Sequence, residues 1–357
     1  MTWWNSDWTY RKEVVIQNGK VADNHSNFPI LVSEIDNDLK IHIAQANAED
    51  TAFVDTDDST QLDHEIEKWD SSDGTLIAHL RIPTMDKDSN KTIYVYYGNA
   101  GCANQQNITG VWDDNYKMVQ HMKDDPDTSS ITDSTQYDND GAKKGANEPI
   151  EADAKIAKGQ SFDGTNDEVR ISDFWNPIQS NFTLEAWIKT TVSGRSIYAK
   201  QANSPGFNGF NFFVASGGLQ VVVCWNNAGQ YGNIIGNTEI NTGTWKYVVF
   251  VFTGADRTNW KIYVDGAQDT FTEYGQDLIG DGIDTAVDFR IGNREQGASF
   301  FKGLEDEVRI SNTARSTDWI TTSFNTQNDP SSFYTLGDEE SEEAPSATIL
   351  PLLREKI

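Results

Sequence analysis

The 357-residue sequence is poor in the residues that usually advertise a metal site or a reactive centre. It holds two cysteines, Cys102 in GNAGCANQ and Cys224 in QVVVCWNN, which fall in different candidate domains and form no metal-type spacing. Cys224 reads as a core residue and Cys102 as a loop thiol. The five histidines, His25, His42, His64, His79 and His121, lie in the first third with no pair at ligand spacing, which argues against zinc. Positive charge is scarce: 28 Lys and Arg against 55 Asp and Glu leave a net charge of −27. That balance opposes binding to nucleic acid or anionic lipid, and most of it reads as solvated surface that also offers oxygen donors to hard cations. No segment reaches about 18 apolar residues in a row, so no membrane insertion is expected. The opening MTWWNSDW lacks the basic and apolar run of a secretory leader, so the sequence does not state an export route. No Ser/His/Asp order, glycine-rich phosphate loop or activated cysteine stands out, and no residue is assigned as catalytic.

Aromatic residues are plentiful, with 17 Phe, 12 Tyr and 11 Trp in a chain that is 37% hydrophobic, enough to bury two cores of ordinary size. Period-two runs recur from end to end, among them RKEVVIQ, FPILVS, LIAHLRIP, TIYVYYGN, FTLEAWIKT, LQVVVCW and WKYVVFVF, separated by Gly, Asn, Asp and Ser turns. The expected fold class is all-β. Asp265-Gly266 in KIYVDGAQD supplies the positive φ of a tight hairpin, and STDWITTSFNTQ (316–327) reads as a short helix with Ser316 as its N-cap. The polar stretch 122–148 reads as a linker or a loop-rich domain entrance. After GDEESEEAPSA, an acidic spacer, the apolar TILPLLREKI reads either as a frayed terminus or as a segment that docks to a partner or a neighbouring subunit.

One heptapeptide is nearly duplicated: NDEVRIS at 166–172 and EDEVRIS at 305–311. In each copy the Val and Ile share one face while the Glu and Arg share the other, the signature of a half-buried strand. Laid antiparallel, Glu168 would meet Arg309 and Arg170 would meet Glu307, so the two copies are expected to be neighbours in one sheet.

The second half of the chain resembles the laminin-G-like, concanavalin A-like jelly rolls of bacterial and archaeal surface proteins. The resemblance rests on GQSFDGTNDEVRIS, NFTLEAWIKT, TGTWKYVVFVFTG, WKIYVDG, DFRIGN, FKGLEDEVRISNTARSTDW and SSFYTLG, in that order. The first hundred residues, with WWNSDWTYRKEVVI, NFPILV, TQLDHEIEKWD and TIYVYYGNA, resemble the uncharacterised β domain often fused in front of it. The resemblance implies a β-sandwich at 1–109, a junction at 110–132, a jelly roll at 133–337 with its terminal strands paired, and a spacer and tail at 338–357. It further implies a non-catalytic binding or adhesion protein that recognises glycans or another surface polymer at a cell or virion surface. The competing expectation is a structural subunit of an appendage, virion or surface layer, forming a homo-oligomer through the C-terminal tail.

Three sets of candidate site residues follow. Asp167 and Asp306 lean toward the core side of their strands and need partners, either a backbone N–H or calcium at the sandwich rim. Asp133 and Asn139 would help hold the ion, since jelly rolls of this kind often carry one structural calcium. For a glycan, flat rings beside amides are needed, and Phe207, Phe210, Trp225, Asn226, Asn227, Gln230 and Tyr231 are the richest such patch. Last, Glu65 and Glu67 in DHEIEKWD share a strand face at a spacing that suits the paired acids of a retaining glycoside hydrolase, although the third interleaved acid of such enzymes is replaced by Ile66.

Overall fold

The computed structural model describes residues 3–177, 180–202, 207–225, 230–278, 285–294 and 299–342, and it is built of antiparallel sheets with a few short helices. The N-terminal unit is a sandwich. Its four-stranded sheet runs in the order Tyr334–Ser341, Tyr10–Ile16, Lys91–Tyr97, Ala52–Asp55, and its three-stranded sheet runs His25–Ile35, Thr75–Met85, His64–Asp70. Alternating residues of both sheets, including Val14, Ile16, Phe28, Ile30, Phe53 and Leu80, meet in one core. Each side chain so buried contributes about 2 kcal/mol.

SSFYTLG, taken above as the last mark of the jelly roll, belongs to this N-terminal unit. The strand Tyr334–Ser341 pairs along Tyr10–Ile16, from Ile16↔Tyr334 to Tyr10↔Ser341. Phe333 and Tyr334 are buried in the N-terminal core, which draws the strand back. The acidic run that follows is partly paired rather than solvated: the Arg11 Nε donates to Glu340 at 2.8 Å, and the Tyr97 hydroxyl donates to Glu339 at 2.8 Å.

The jelly roll consists of an eight-stranded and a nine-stranded sheet. The first runs Ile150–Asp153, Lys158–Asp163, Lys302–Ser311, Phe182–Lys189, Lys246–Phe252, Lys261–Val264, Ala267–Asp269, with Tyr116–Gln120 also bonded to Lys302–Ser311. The second runs Phe271–Gly275, Gln230–Gly236, Gly218–Trp225, Gly209–Ala215, Arg195–Gln201, Phe289–Ile291, Val169–Ile171, Gly141–Lys143, Ser130–Ile131. Strands therefore occur both in the expected junction and inside the polar stretch 122–148. The hairpin at Asp265-Gly266 is present, with φ of 51° and 77°. So is the helix, Thr317–Asn328, whose Ser316 side chain accepts from the Trp319 N–H.

The duplicated strands do not pair. Val169–Ile171 lies in the nine-stranded sheet between Phe289–Ile291 and Gly141–Lys143, whereas Lys302–Ser311 lies in the eight-stranded sheet. They face each other across the sandwich, with Val169, Ile171, Val308 and Ile310 in one core. The expected cross-strand ion pairs are made inside each copy instead. The Arg170 Nε donates to Glu168 at 2.6 Å and the Arg309 Nε donates to Glu307 at 3.0 Å, since residues two apart share a face. The strand that closes the jelly roll against Lys302–Ser311 is the one just before the first copy, Lys158–Asp163, with Gln160↔Glu305 and Asp163↔Lys302.

The outer faces of the two sheets have different fates. Trp187, Tyr247, Val249, Val251 and Tyr263 of the eight-stranded sheet are buried beneath Ile320 and Phe324 of the helix. That helix is in turn fixed to the N-terminal unit, where Thr322 and Thr326 hydroxyls accept from the Ala22 and Leu31 N–H groups.

Candidate functional site

Two places concentrate chemistry, and the first is the seam between the units. Glu65 and Glu67 come from the strand His64–Asp70, where a bulge makes Glu67 the extra residue, and His79 comes from its partner strand, opposite Glu65. His121 follows the jelly-roll strand Tyr116–Gln120. Glu307 sits at a bulge in Lys302–Ser311, at the point where that strand's partner changes from Lys158–Asp163 to Tyr116–Gln120. Its φ of 51° is a left-handed conformation that a non-glycine residue adopts only when its surroundings demand it.

The contacts inside the seam are short and buried. His79 Nε2 lies 2.9 Å from Glu67 Oε2, and His121 Nδ1 lies 2.5 Å from Glu307 Oε1. The crossed distances, His79 Nε2 to Glu307 Oε1 and His121 Nδ1 to Glu67 Oε2, are both 3.9 Å. Glu65 accepts from the Ser134 hydroxyl at 2.6 Å and from the Trp112 indole at 3.1 Å. His121 Nε2 is 3.3 Å from Glu65 Oε2, close enough for a charge interaction but outside hydrogen-bond geometry. Arg309 completes the group, bonded to Glu307 and lying over the Trp112 ring with its guanidinium 4.9 Å from the ring centre. Burial opposes ionisation of Glu65, but His121, His79 and Ser134 outweigh it and hold its carboxyl at about 2. Burial likewise disfavours a charged His121, and Glu307 and Glu65 reverse this, raising it well above the ordinary histidine range. A pocket of about 210 Å³ opens beside Glu65, His121, Lys123 and Ser134.

Glu67, His79, His121 and Glu307 each offer one donor atom, all four within 4.8 Å of one another, and no other such group occurs among the described residues. The absence of a histidine pair at ligand spacing was therefore a misleading cue. His79 and His121 are 42 positions apart and meet only because two units dock. The only sequence hints were the shared face of Glu65 and Glu67 and the Glu of the duplicated strand.

At the residues considered for calcium, the carboxylates take protein partners. Asp306 Oδ2 accepts from the Ile156 N–H at 2.8 Å. Asp133 accepts from the N–H groups of Val119, Thr135 and Asn139, while Asn139 donates through its side chain to the Lys117 carbonyl. Asp167 accepts from the Asp163 N–H at 2.7 Å, closing a local turn. Backbone amides thus serve the partner role at all three carboxylates.

The second place is the outer face of the nine-stranded sheet. Register puts Gln220 opposite Ile235, Val222 opposite Asn233, and Asn233 opposite Tyr274, so these side chains and Tyr231 share the face away from the core. Tyr231 is 43% and Tyr274 49% exposed, and the Gln220 amide donates to Asn233 at 2.8 Å. Phe213 continues the same face as a half-buried ring, opposite Gln220. Of the aromatics named from sequence, Tyr231 is therefore on the open face, and Phe207 is 38% exposed just before the strand Gly209–Ala215. Phe210 is wholly buried in the core, because its strand parity matches Phe212 rather than Phe213. Asn226 and Asn227, and the side chains of Trp225 and Gln230, lie outside the described residues, as does the tail 343–357. Tyr274 was missed, though FTEYG alternates as a strand should.

Residues 163–321 match the family described as the concanavalin A-like lectin/glucanases superfamily, and residues 47–139 match a domain of unknown function (DUF2341). The chain carries a concanavalin A-like domain. The second match runs beyond the N-terminal sandwich into jelly-roll strands, so Glu67, His79 and His121 fall in it and Glu307 in the concanavalin A-like domain. Solved structures similar to the chain include the binding domain of Paraclostridial Mosquitocidal Protein 1, 16% identical over 60% of this chain and 52% of that one, with a TM-score of 0.46. Domain 4 of AbnA, a GH43 extracellular arabinanase from Geobacillus stearothermophilus in complex with arabinotriose, is 20% identical over 59% of this chain and all of its own length, with a TM-score of 0.43. The binding domain of botulinum neurotoxin serotype D is 14% identical over 60% and 52%, with a TM-score of 0.44. The chain spans about half the length of the mosquitocidal and neurotoxin binding domains it matches. No curated protein matches it. No described helix is long and apolar enough to cross a membrane.

Proposed function

We propose that the chain is a non-catalytic binding protein of a cell or virion surface, and that it holds a glycan on the outer face of the nine-stranded sheet. The observation that carries this is the placement of Tyr231 and Tyr274, two half-exposed rings flanking Asn233 on one continuous face. Flat rings take the C–H face of a sugar, and the Asn233 and Gln220 amides are placed to bond its hydroxyls. The net charge of −27 favours a neutral polymer over a sulfated or uronic one. Glu65 and Glu67 support binding rather than hydrolysis. They are 4% and 6% exposed and already engaged, Glu65 by Ser134 and Trp112 and Glu67 by His79, rather than presented to a polymer.

Titration of the chain with neutral polysaccharides by calorimetry tests the reading. Binding that weakens about tenfold in Tyr231→Ala and again in Tyr274→Ala is expected, with folding unchanged. Undiminished binding in the double variant, or release of reducing sugar by the purified chain, would overturn it.

A further inference from the structure

The open face leaves the seam unexplained, and the seam is an unusual thing to bury. Three carboxylates, two imidazoles and a guanidinium sit together with the His79, His121, Glu67 and Glu307 side chains no more than 2% exposed. Burial of unpaired charge is heavily penalised, so such a group persists only if its charge is balanced internally. With neutral imidazoles, Glu65, Glu67 and Glu307 against Arg309 leave two negative charges, and a proton on His121 alone still leaves one. Two imidazolium ions would balance them, but the rings are stacked at 4.4 Å between centres and 21° between planes, where two like charges repel. One divalent cation between them balances the same charge without that repulsion.

Geometry points the same way. One donor atom from each of the four residues lies within 4.8 Å of the others, and the His–Glu separations of 2.5, 2.9, 3.9 and 3.9 Å bracket the edge of roughly 3.4 Å that a tetrahedron with bonds of about 2.1 Å requires. Glu67 Oε1 is buried without a hydrogen-bond partner. On the far side of the His121 ring, Glu65 stands 3.3 Å from Nε2, a nearby negative charge that favours the ring's electron donation through Nδ1. The left-handed φ of Glu307 aims its side chain into the seam.

We propose that Glu67, His79, His121 and Glu307 form a closed four-coordinate site for a divalent transition cation, zinc by the chemistry of its two nitrogen and two oxygen donors. The site is structural. Two ligands come from the N-terminal sandwich and two from the jelly roll, so the cation staples the units. Calcium is the wrong size of problem for this set, since it takes six to eight oxygens.

The test uses the full chain, stripped with a chelator, dialysed against micromolar zinc or cobalt(II), and then measured by plasma mass spectrometry, absorption and thermal melting. One cation per chain, visible cobalt bands of tetrahedral intensity and a melting temperature several degrees above that of the stripped chain are expected. His79→Gln with His121→Gln should abolish the bound metal, while His42→Gln, at a histidine outside the seam, should keep it. If the double variant does not fold, the cobalt spectrum of the unmodified chain decides alone. No retained metal, octahedral bands, or the same stoichiometry in the folded double variant would each overturn the site, and none of these results bears on glycan binding.

Discussion

At 167–172 the sequence DEVRIS lies on the open sheet with the Arg170 side chain 48% exposed, and at 306–311 the same six residues lie against the N-terminal sandwich with the Arg309 side chain 3% exposed. Both copies send Val and Ile into one core and both tie Arg to the Glu two residues before it. They differ in what lies above the polar face. Glu168 meets Arg290 at 3.1 Å and Asn293 at 3.0 Å, whereas Glu307 meets His121 within the seam. The hexapeptide thus encodes a strand with a built-in ion pair, and its burial is decided by segments far away in sequence.

The difference can be broken first at the arginines. Arg309→Ala strips the buried Glu307 of its guanidinium and should cost about 3–5 kcal/mol in urea unfolding, whereas Arg170→Ala, with Arg290 still beside Glu168, should cost less than about 1 kcal/mol. Equal losses at the two sites would show that both polar faces are covered alike. The apolar half should instead behave symmetrically. Ile171→Ala and Ile310→Ala each open a cavity in the shared core and are expected to cost about 2–5 kcal/mol apiece. A smaller effect is expected at the helix that covers the eight-stranded sheet: Ser316→Ala removes the cap on the Trp319 N–H, and melting should register about 1 kcal/mol.

The apolar and turn structure was legible in the sequence because it is local. Alternation located the strands, Asp265-Gly266 located a hairpin, and Ser316 located the start of a helix. Strand partnership was not legible, because the Glu/Arg pattern of the duplicated strand is satisfied as well within one copy as between two. The return of Tyr334–Ser341 to the N-terminal sheet was hidden for a similar reason: any sheet edge accepts an alternating strand, and the buried Phe333 and Tyr334, with Glu339 and Glu340 on Tyr97 and Arg11, choose this one. At the sites, Tyr231 could be named from its glycine- and asparagine-rich surroundings. Phe210 could not be separated from Phe207 until register placed it in the core. The seam of Glu67, His79, His121 and Glu307 left almost no trace, since it exists only where two units close on each other.

The central claim, that one outer face of the jelly roll is free to hold a glycan while the other is sealed, is tested most directly by hydroxyl-radical footprinting with and without a neutral polysaccharide. Tyr231 and Tyr274 should be labelled in the free chain and protected by the polymer, while Tyr247 and Tyr263, fully buried on the opposite sheet, stay unlabelled in both. Labelling of Tyr247 and Tyr263 in the free chain, or polymer binding that leaves Tyr231 and Tyr274 as reactive as before, would contradict it.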